Sequence, residues 1–313
     1  IGDDAAVVRL PAGHRLLLTT DLLAEGIHFD LTTATYEDLG YKAAVANLSD
    51  IAAMGGTPRH MLVAMALPAD RTVSQIRRLY GGLMKACRQH GVALIGGDTS
   101  ASRGGLFISV TLTGTAPPGQ VLMRDGARVG DFIYVTGTLG DSLAGLNLLT
   151  AQRRKNPPRY ERTLMNRHLR PTARIAAGQT LASRGLATAA IDLSDGLSGD
   201  LAHLCEQSAV GAEITATALP LSPACRAYAA AHRVDPTRLA LAGGEDYELL
   251  FTVSPKNRAT VDRLAHEAPY RITSIGIIRP KSFGLRLRDE EGSLKKLTIS
   301  SYQHFQNPPT VRS

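Results

Sequence analysis

The feature that most constrains this chain is a short acidic signature repeated along it. Acidic residues flanked by Gly, Ser or Thr stand directly against apolar runs. The segments are Gly2-Asp3-Asp4-Ala5, Thr19-Thr20-Asp21, Asn47-Leu48-Ser49-Asp50, Gly96-Gly97-Asp98-Thr99, Ile191-Asp192-Leu193-Ser194-Asp195-Gly196 and Gly243-Gly244-Glu245-Asp246-Tyr247-Glu248. A carboxylate at the edge of a buried segment is costly unless something neutralises it. Few Lys or Arg residues stand beside these acids, so compensation has to come from elsewhere. A hard divalent cation is a simple answer, because Mg²⁺ takes oxygen ligands, keeps some waters and bridges carboxylates to substrate phosphates. The adjoining Gly and Thr residues permit tight turns and offer amides or hydroxyls to phosphate oxygens. Any one of these Asp residues alone reads as a helix cap or turn residue. Their recurrence points to a metal- and phosphate-binding enzyme.

Absent motifs narrow the class. There is no G-x-x-x-x-G-K-[ST], no H-R-D or D-F-G set, no H-E-x-x-H and no G-x-S-x-G. Standard P-loop proteins, protein kinases, zincins and α/β-hydrolases are therefore disfavoured. The isolated His60, His168 and His203 read as surface or packing residues rather than ligands.

Apolar periodicity predicts strands over residues 15–20, 59–67, 92–95, 106–115, 132–136, 189–193, 249–253 and 272–278. It predicts helices over 41–54, 73–90, 142–150, 171–181 and 198–207. Gly55-Gly56-Thr57-Pro58 stops the first helix and Gly91 the second, while Pro171 is expected in the first turn of the fourth. Gly96-Gly97-Asp98 is expected to turn the chain after the strand at 92–95, and residues 153–159 to form a loop. Strands and helices mix without strict βαβ alternation, so the fold class is α+β in two domains, 1–130 and 131–313. The 313-residue length suits two cores.

The formal charge of +7 raises nucleic-acid binding as a question. Aromatics are only 5% and do not interleave with basic residues, so no stacking platform for nucleic acid is expected. The excess charge reads as solvated surface that helps to attract anionic substrates. No apolar run reaches the roughly 18–20 residues that span a bilayer, so no membrane partner is expected. Three distant cysteines, Cys87, Cys205 and Cys225, without a C-x-x-C, fit free thiols in a reducing cytoplasm. The chain opens at Ile1 without Met, which reads as loss of a preceding segment.

Beyond these patterns, ordered stretches resemble the thiamine-monophosphate kinase family, within the superfamily of aminoimidazole ribonucleotide synthetase and selenophosphate synthetase. They include IGDDAAVV (1–8), TTDLLAEGIHF (19–29), NLSDIAAMGG (47–56), LIGGDTS (94–100), DFIYVTGTLGD (131–141), AIDLSDGLSGD (190–200), GGEDYELLF (243–251) and SYQHF (301–305). The resemblance covers nearly the whole chain. It implies an aminoimidazole ribonucleotide synthetase-like fold, with an N-terminal α/β domain forming a β-barrel across a homodimer two-fold and a larger C-terminal α/β domain. It implies ATP as co-substrate, several Mg²⁺ ions and thiamine monophosphate as acceptor.

By the same resemblance, Asp4, Thr19, Thr20, Asp21, Asp50, Asp98, Asp192 and Asp195 would hold metal, with Asp50, Asp98 and Asp192 central to catalysis. Tyr80, Gly97, Asp98, Arg124 and Ser194 would contact ATP. His28, Glu245 and Tyr302 would contact thiamine monophosphate, with Phe305 as an alternative to Tyr302. Such a site would transfer the γ-phosphoryl group directly, because metals bridging the phosphates cancel their repulsion and no protein nucleophile is needed. Two other readings remain open: another ATP-using enzyme of the superfamily, and a non-catalytic nucleotide- or nucleic-acid-binding module. The selenophosphate version requires a Cys or selenocysteine near the N-terminus, and no Cys precedes Cys87.

Overall fold

The computed structural model describes residues 13–151 and 155–300 in full and the backbone of residues 6–9. The first half of the chain builds one sheet in the order β1-β2-β5-β3-β4. Its strands are β1 (Ala6–Arg9), β2 (Arg15–Ala24), β3 (Thr57–Pro68), β4 (Ala93–Ser102) and β5 (Phe107–Ala116). Only the β3/β4 pair is parallel; the other pairs are antiparallel. Two helices, α1 (Tyr36–Ala53) and α2 (Val73–His90), pack on one face.

Alternation decides which face each residue takes. Leu17, Thr19 and Leu23 of β2, Val110 of β5 and Val63 of β3 are buried on the helix-covered face. Thr20, Leu22, Leu62 and Phe107 point to the opposite, open face, where Leu22 is 57% exposed and Leu62 42%.

Helix α1 is Ala-rich for a packing reason. Thr35 and Asp38 close a capping box at its start. Leu48, Ile51, Ala52 and Ala53 have no exposed surface, and burying a side chain such as Leu48 contributes about 2 kcal/mol. Small residues let neighbouring backbones come close. A Cβ on Gly40 would lie 1.9 Å from the carbonyl oxygen of Leu79 in α2.

The second half builds a seven-stranded sheet in the order β12-β11-β8-β10-β6-β9-β7. The strands are β6 (Phe132–Thr136), β7 (Ala189–Asp192), β8 (Val210–Thr215), β9 (Leu249–Val253), β10 (Ile272–Pro280), β11 (Leu285–Arg288) and β12 (Leu294–Lys296). The helices are α3 (Asp141–Thr150), α4 (Arg159–Leu169), α5 (Ile175–Ser183), α6 (Leu197–Gln207), α7 (Pro223–His232), α8 (Pro236–Ala242) and α9 (Arg258–Glu267). One hydrophobic core runs from Leu17, Ile51 and Val63 through Tyr134, Leu181 and Ala190 to Phe251, so the two halves share packing.

Three local expectations change. Gly96-Gly97-Asp98 does not turn: β4 runs on to Ser102, paired with β3 along its length. Helix α5 starts at Ile175, with Pro171 outside it, because Arg174 turns inward to Glu248 at 2.5 Å. The expected loop at 153–159 ends where α4 begins, a helix that periodicity had not marked.

Candidate active site

The acids of the second half come together through strand pairing. Asp192 ends β7 directly opposite Leu249, the first residue of β9. The loop before β9 then docks on the loop after β7. Glu245 N–H donates to Ser194 O at 2.7 Å, Tyr247 N–H to Leu193 O at 2.9 Å, and Leu193 N–H to Glu248 O at 2.8 Å. Two non-glycine residues in this loop, Glu245 (φ 61°) and Tyr247 (φ 50°), are left-handed. Such strain persists only where surrounding contacts over-determine it, and it concentrates at functional sites.

The first half meets this edge through β2 and the last turns of α1. Ser49 Oγ donates to Asp192 Oδ2 at 2.7 Å, and Thr19 Oγ1 donates to Asp50 Oδ2. Tyr247 is buried in the docked loop. Burial pushes its phenol pKa well above the usual value, and the charges of Glu245, Asp21, Asp192 and Asp50 push it the same way. Four carboxylates distant in sequence therefore act on one buried phenol.

Glu245 sits in a polar network of its own. Lys42 Nζ of α1 lies 2.6 Å from Glu245 Oε1, and His168 Nδ1 lies 3.6 Å from Oε2. Lys42 Nζ is 3.3 Å from His168 Nε2, and His168 Nδ1 is 3.0 Å from Ser142 Oγ. Burial opposes ionisation of Glu245, but Lys42, His168 and His28 outweigh it and hold the carboxyl below its ordinary range. Burial and the Lys42 charge together lower the His168 imidazole to about 4. His28 Nδ1 accepts from Ala24 N–H at 3.0 Å, which leaves the proton of the neutral ring on Nε2.

Not every expected residue joins this group. Asp21 lies in register with Val110, Val63 and Gly97 across β2, β5, β3 and β4, so β4 is three strand spacings away, about 14 Å. Asp98, one residue on, pairs with the exposed Ala64 and faces the open side, as does Thr20, whose Oγ1 lies 3.1 Å from Thr111 Oγ1. Within one chain Asp21 and Asp98 therefore sit three strands apart and on opposite faces of the sheet. Gly97 is required for packing, since a Cβ there would lie 1.9 Å from Val63 O.

Ser194 and Asp195 stand in the loop bonded to Glu245, and the Arg124 carbonyl accepts from Ser208 Oγ at 2.6 Å. Tyr80 lines a separate cavity of about 370 Å³ with Leu67, Arg71, Ile76 and Arg77. Asp4, Tyr302 and Phe305 lie outside the described residues. Among the described residues, no three His, Cys, Asp or Glu side chains are grouped closely enough to share one metal ion. A larger cavity, about 710 Å³ between α3, α4 and the start of α1, includes none of the expected site residues in its lining.

Of the histidines read as surface or packing residues, His60 and His203 are exposed, whereas His168 is buried in the Glu245 network. Sequence reading missed Lys42 altogether. The available signal was a lone lysine on the apolar stretch Tyr41-Lys42-Ala43-Ala44-Val45, a position where a charge needs a partner.

Two linked sheets with acid-bearing loops at their junction define an AIR synthase-related protein. The AIR synthase related protein N-terminal domain profile matches residues 2–116, and the corresponding C-terminal domain profile matches 128–287. The thiamine-monophosphate kinase of Haemophilus influenzae is 42% identical over 311 residues, covering 98% of this chain and 91% of the relative. That of Bacillus subtilis is 35% identical over 309 residues, covering 98% and 93%. The solved structure of AaThiL complexed with AMPPCP and TMP superposes with a TM-score of 0.87 at 39% identity, covering 97% of this chain and 92% of that one. The chain belongs to the thiamine-monophosphate kinase family.

Proposed function

We infer that this chain transfers the γ-phosphoryl group of ATP to thiamine monophosphate, forming thiamine diphosphate in the last step of that cofactor's synthesis. The observation that carries the reading is the meeting of the Thr19–Asp50 and Ser49–Asp192 pairs with the docked Glu245 loop in a chain superposable on a relative complexed with AMPPCP and TMP.

The donor set fits magnesium. It is all oxygen, with the carboxylates of Asp21, Asp50 and Asp192 and the hydroxyl of Thr19 within one region. Since no three described carboxylates share one position, an ion here would take one or two of them and complete its shell with phosphate oxygens and water. Asp4, Thr20, Asp98 and Asp195 complete the proposed set, with Thr20 and Asp98 both on the open face of the sheet but three strand spacings apart. Bound Mg²⁺ would neutralise the phosphates and so remove the repulsion between two anionic reactants.

The chain's own residues supply position. Ser49 and Thr19 hold the Asp192 and Asp50 carboxylates by hydrogen bonds, so these ligands need little reorganisation when substrate arrives. The paired loops fix Ser194 beside Glu245. Glu245, kept ionised, and His28 form an acidic and polar surface for the cationic thiazolium end of the acceptor, with Tyr302 as its stacking partner. Gly97, Arg124, Ser194 and Tyr80 are proposed to contact ATP. The attacking phosphate oxygen is largely ionised at neutral pH, so transfer is direct and no phosphoenzyme forms.

A domain division near residue 130 is supported by two sheets that share no strand. A homodimer formed through the first sheet is supported by its open face, where Leu22, Leu62, Phe107 and the nearby Ile95 are 36–59% exposed. Three free, buried thiols support a reducing cytoplasm. Incubation with thiamine monophosphate and γ-labelled ATP tests the activity. Label should appear in thiamine diphosphate and not on the protein. Consumption of ATP with a different acceptor and none with thiamine monophosphate would overturn the assignment.

A further inference from the structure

Lys42 is a buried charge for which the proposed reaction gives no role. Its side chain is 7% exposed, and it projects from α1, two helical turns before Asp50 on the same helix. Eight residues of helix span about 12 Å. Its partners, Glu245 and His168, belong to the second half of the chain. The ion pair thus ties the loop that carries the acceptor-contacting carboxylate to the helix that carries a metal-ligating one.

Burying a lysine costs several kcal/mol unless it is well paired, and a surface pair would hold the halves together without that cost. Here the burial has a geometric consequence. Glu245 is one of the two left-handed residues of its loop (φ 61°), and its side chain is 30% exposed, so it remains accessible to a ligand. Lys42 takes Oε1 at 2.6 Å while His168 lies 3.6 Å from Oε2, and His168 is itself bonded to Ser142 at the start of α3. One carboxylate oxygen is therefore held by the ion pair, with His168 close to the other.

We propose that Lys42 is a positioning residue: through its ion pair it sets Glu245, and hence the bound thiamine monophosphate, at a fixed distance and angle from the Asp50 end of α1. The proposal rests on the kinase reading above and names a residue that acts through Glu245 rather than on substrate. The titratable groups facing Lys42 are Glu245, in the loop before β9, and His168 on α4. A role in binding ATP is not part of it.

Steady-state kinetics of Lys42→Met, Lys42→Arg, Glu245→Gln and the Lys42→Met/Glu245→Gln double variant test it. Lys42→Met should raise the KM for thiamine monophosphate by on the order of tenfold or more, with the KM for ATP within about twofold of wild type. The double variant should be no worse than Glu245→Gln alone, because one interaction is removed twice. Lys42→Arg, which keeps the charge, should recover part of the loss. If Lys42→Met does not fold, as judged by circular dichroism, Lys42→Gln takes its place with the same expectations. An unchanged KM for thiamine monophosphate, a matching rise in the KM for ATP, or losses that multiply in the double variant would each overturn the positioning role. Wild-type protein that fails to phosphorylate thiamine monophosphate would overturn the kinase reading first, so the two failures are distinguishable.

Discussion

Replacing Gly178 with alanine couples the packing of α5 directly to the site. A Cβ at this position would lie 1.9 Å from the carbonyl oxygen of Ala52 and 2.9 Å from its carbon. Both are backbone atoms of α1, so no side chain can swing aside. Helix α5 or α1 must retreat by about an ångström in a close-packed interior. Retreat is resisted by Arg174, which grips Glu248 at 2.5 Å, and by Gln179 Nε2, which donates to Gly56 O at 3.2 Å and Thr57 Oγ1 at 2.9 Å. Alanine gains about 1 kcal/mol of helix propensity, while overpacking costs about 1–3 kcal/mol and more where backbone must move. Because backbone must move here, the upper end of that range applies and the net is a loss of about 2 kcal/mol, a fall in Tm of roughly 4–8 °C. Ala52 is two residues beyond Asp50 and three beyond Ser49, so the shift also moves the Ser49–Asp192 bond. A misplacement of that size should lower kcat by about 10–100-fold. Differential scanning calorimetry and initial rates read both effects. Gly81→Ala, on an open face of α2 with nothing within 4 Å, is the matched control and should raise Tm slightly. A Gly178→Ala protein with wild-type Tm and kcat would refute the reasoning.

Further outcomes are expected elsewhere. Asp50→Asn should reduce kcat by at least about a hundredfold with a native circular dichroism spectrum; near-normal kcat at saturating Mg²⁺ would remove Asp50 from the metal set. Tyr302→Ala should raise mainly the KM for thiamine monophosphate, and a change confined to the KM for ATP would contradict stacking on the acceptor. His168 is buried with a pKa near 4, below its unfolded value of 6.5. The unfolded chain therefore binds more protons between those values, and stability falls as pH drops from about 6.5 towards 4, by about 3 kcal/mol for this group. Thermal unfolding across that range should show a steeper decline for wild type than for His168→Gln, and parallel curves would refute the assignment.

Elements whose cause is local could be read from sequence. The strand at 132–136 and the helix at 73–90 fall at their expected bounds, the latter closed by Gly91 in the left-handed conformation. Each carries its own periodicity and stop signal, so tertiary contacts have little to override. Helix α4 was missed because its buried residues, Glu161, Leu164 and His168, include two polar ones. No apolar stripe marks such a helix. Gly96-Gly97 looked like a turn because glycine usually signals one, whereas here it lets β4 lie against β3.

The sequence alone determined the chemistry on offer: oxygen ligands in Gly- and Ser-flanked segments and the family to which those segments belong. It could not determine which acids meet. Pairing of β7 with β9, docking of Ser49 on Asp192 and the closeness of Glu245 to Lys42 join residues 57 to 203 positions apart. The separation of Asp21 from Asp98 onto opposite faces follows from strand order and register. Side chains alternate across a sheet with a period of two, so neighbours in a motif can face opposite ways, and only the assembled fold fixes which carboxylates share a field.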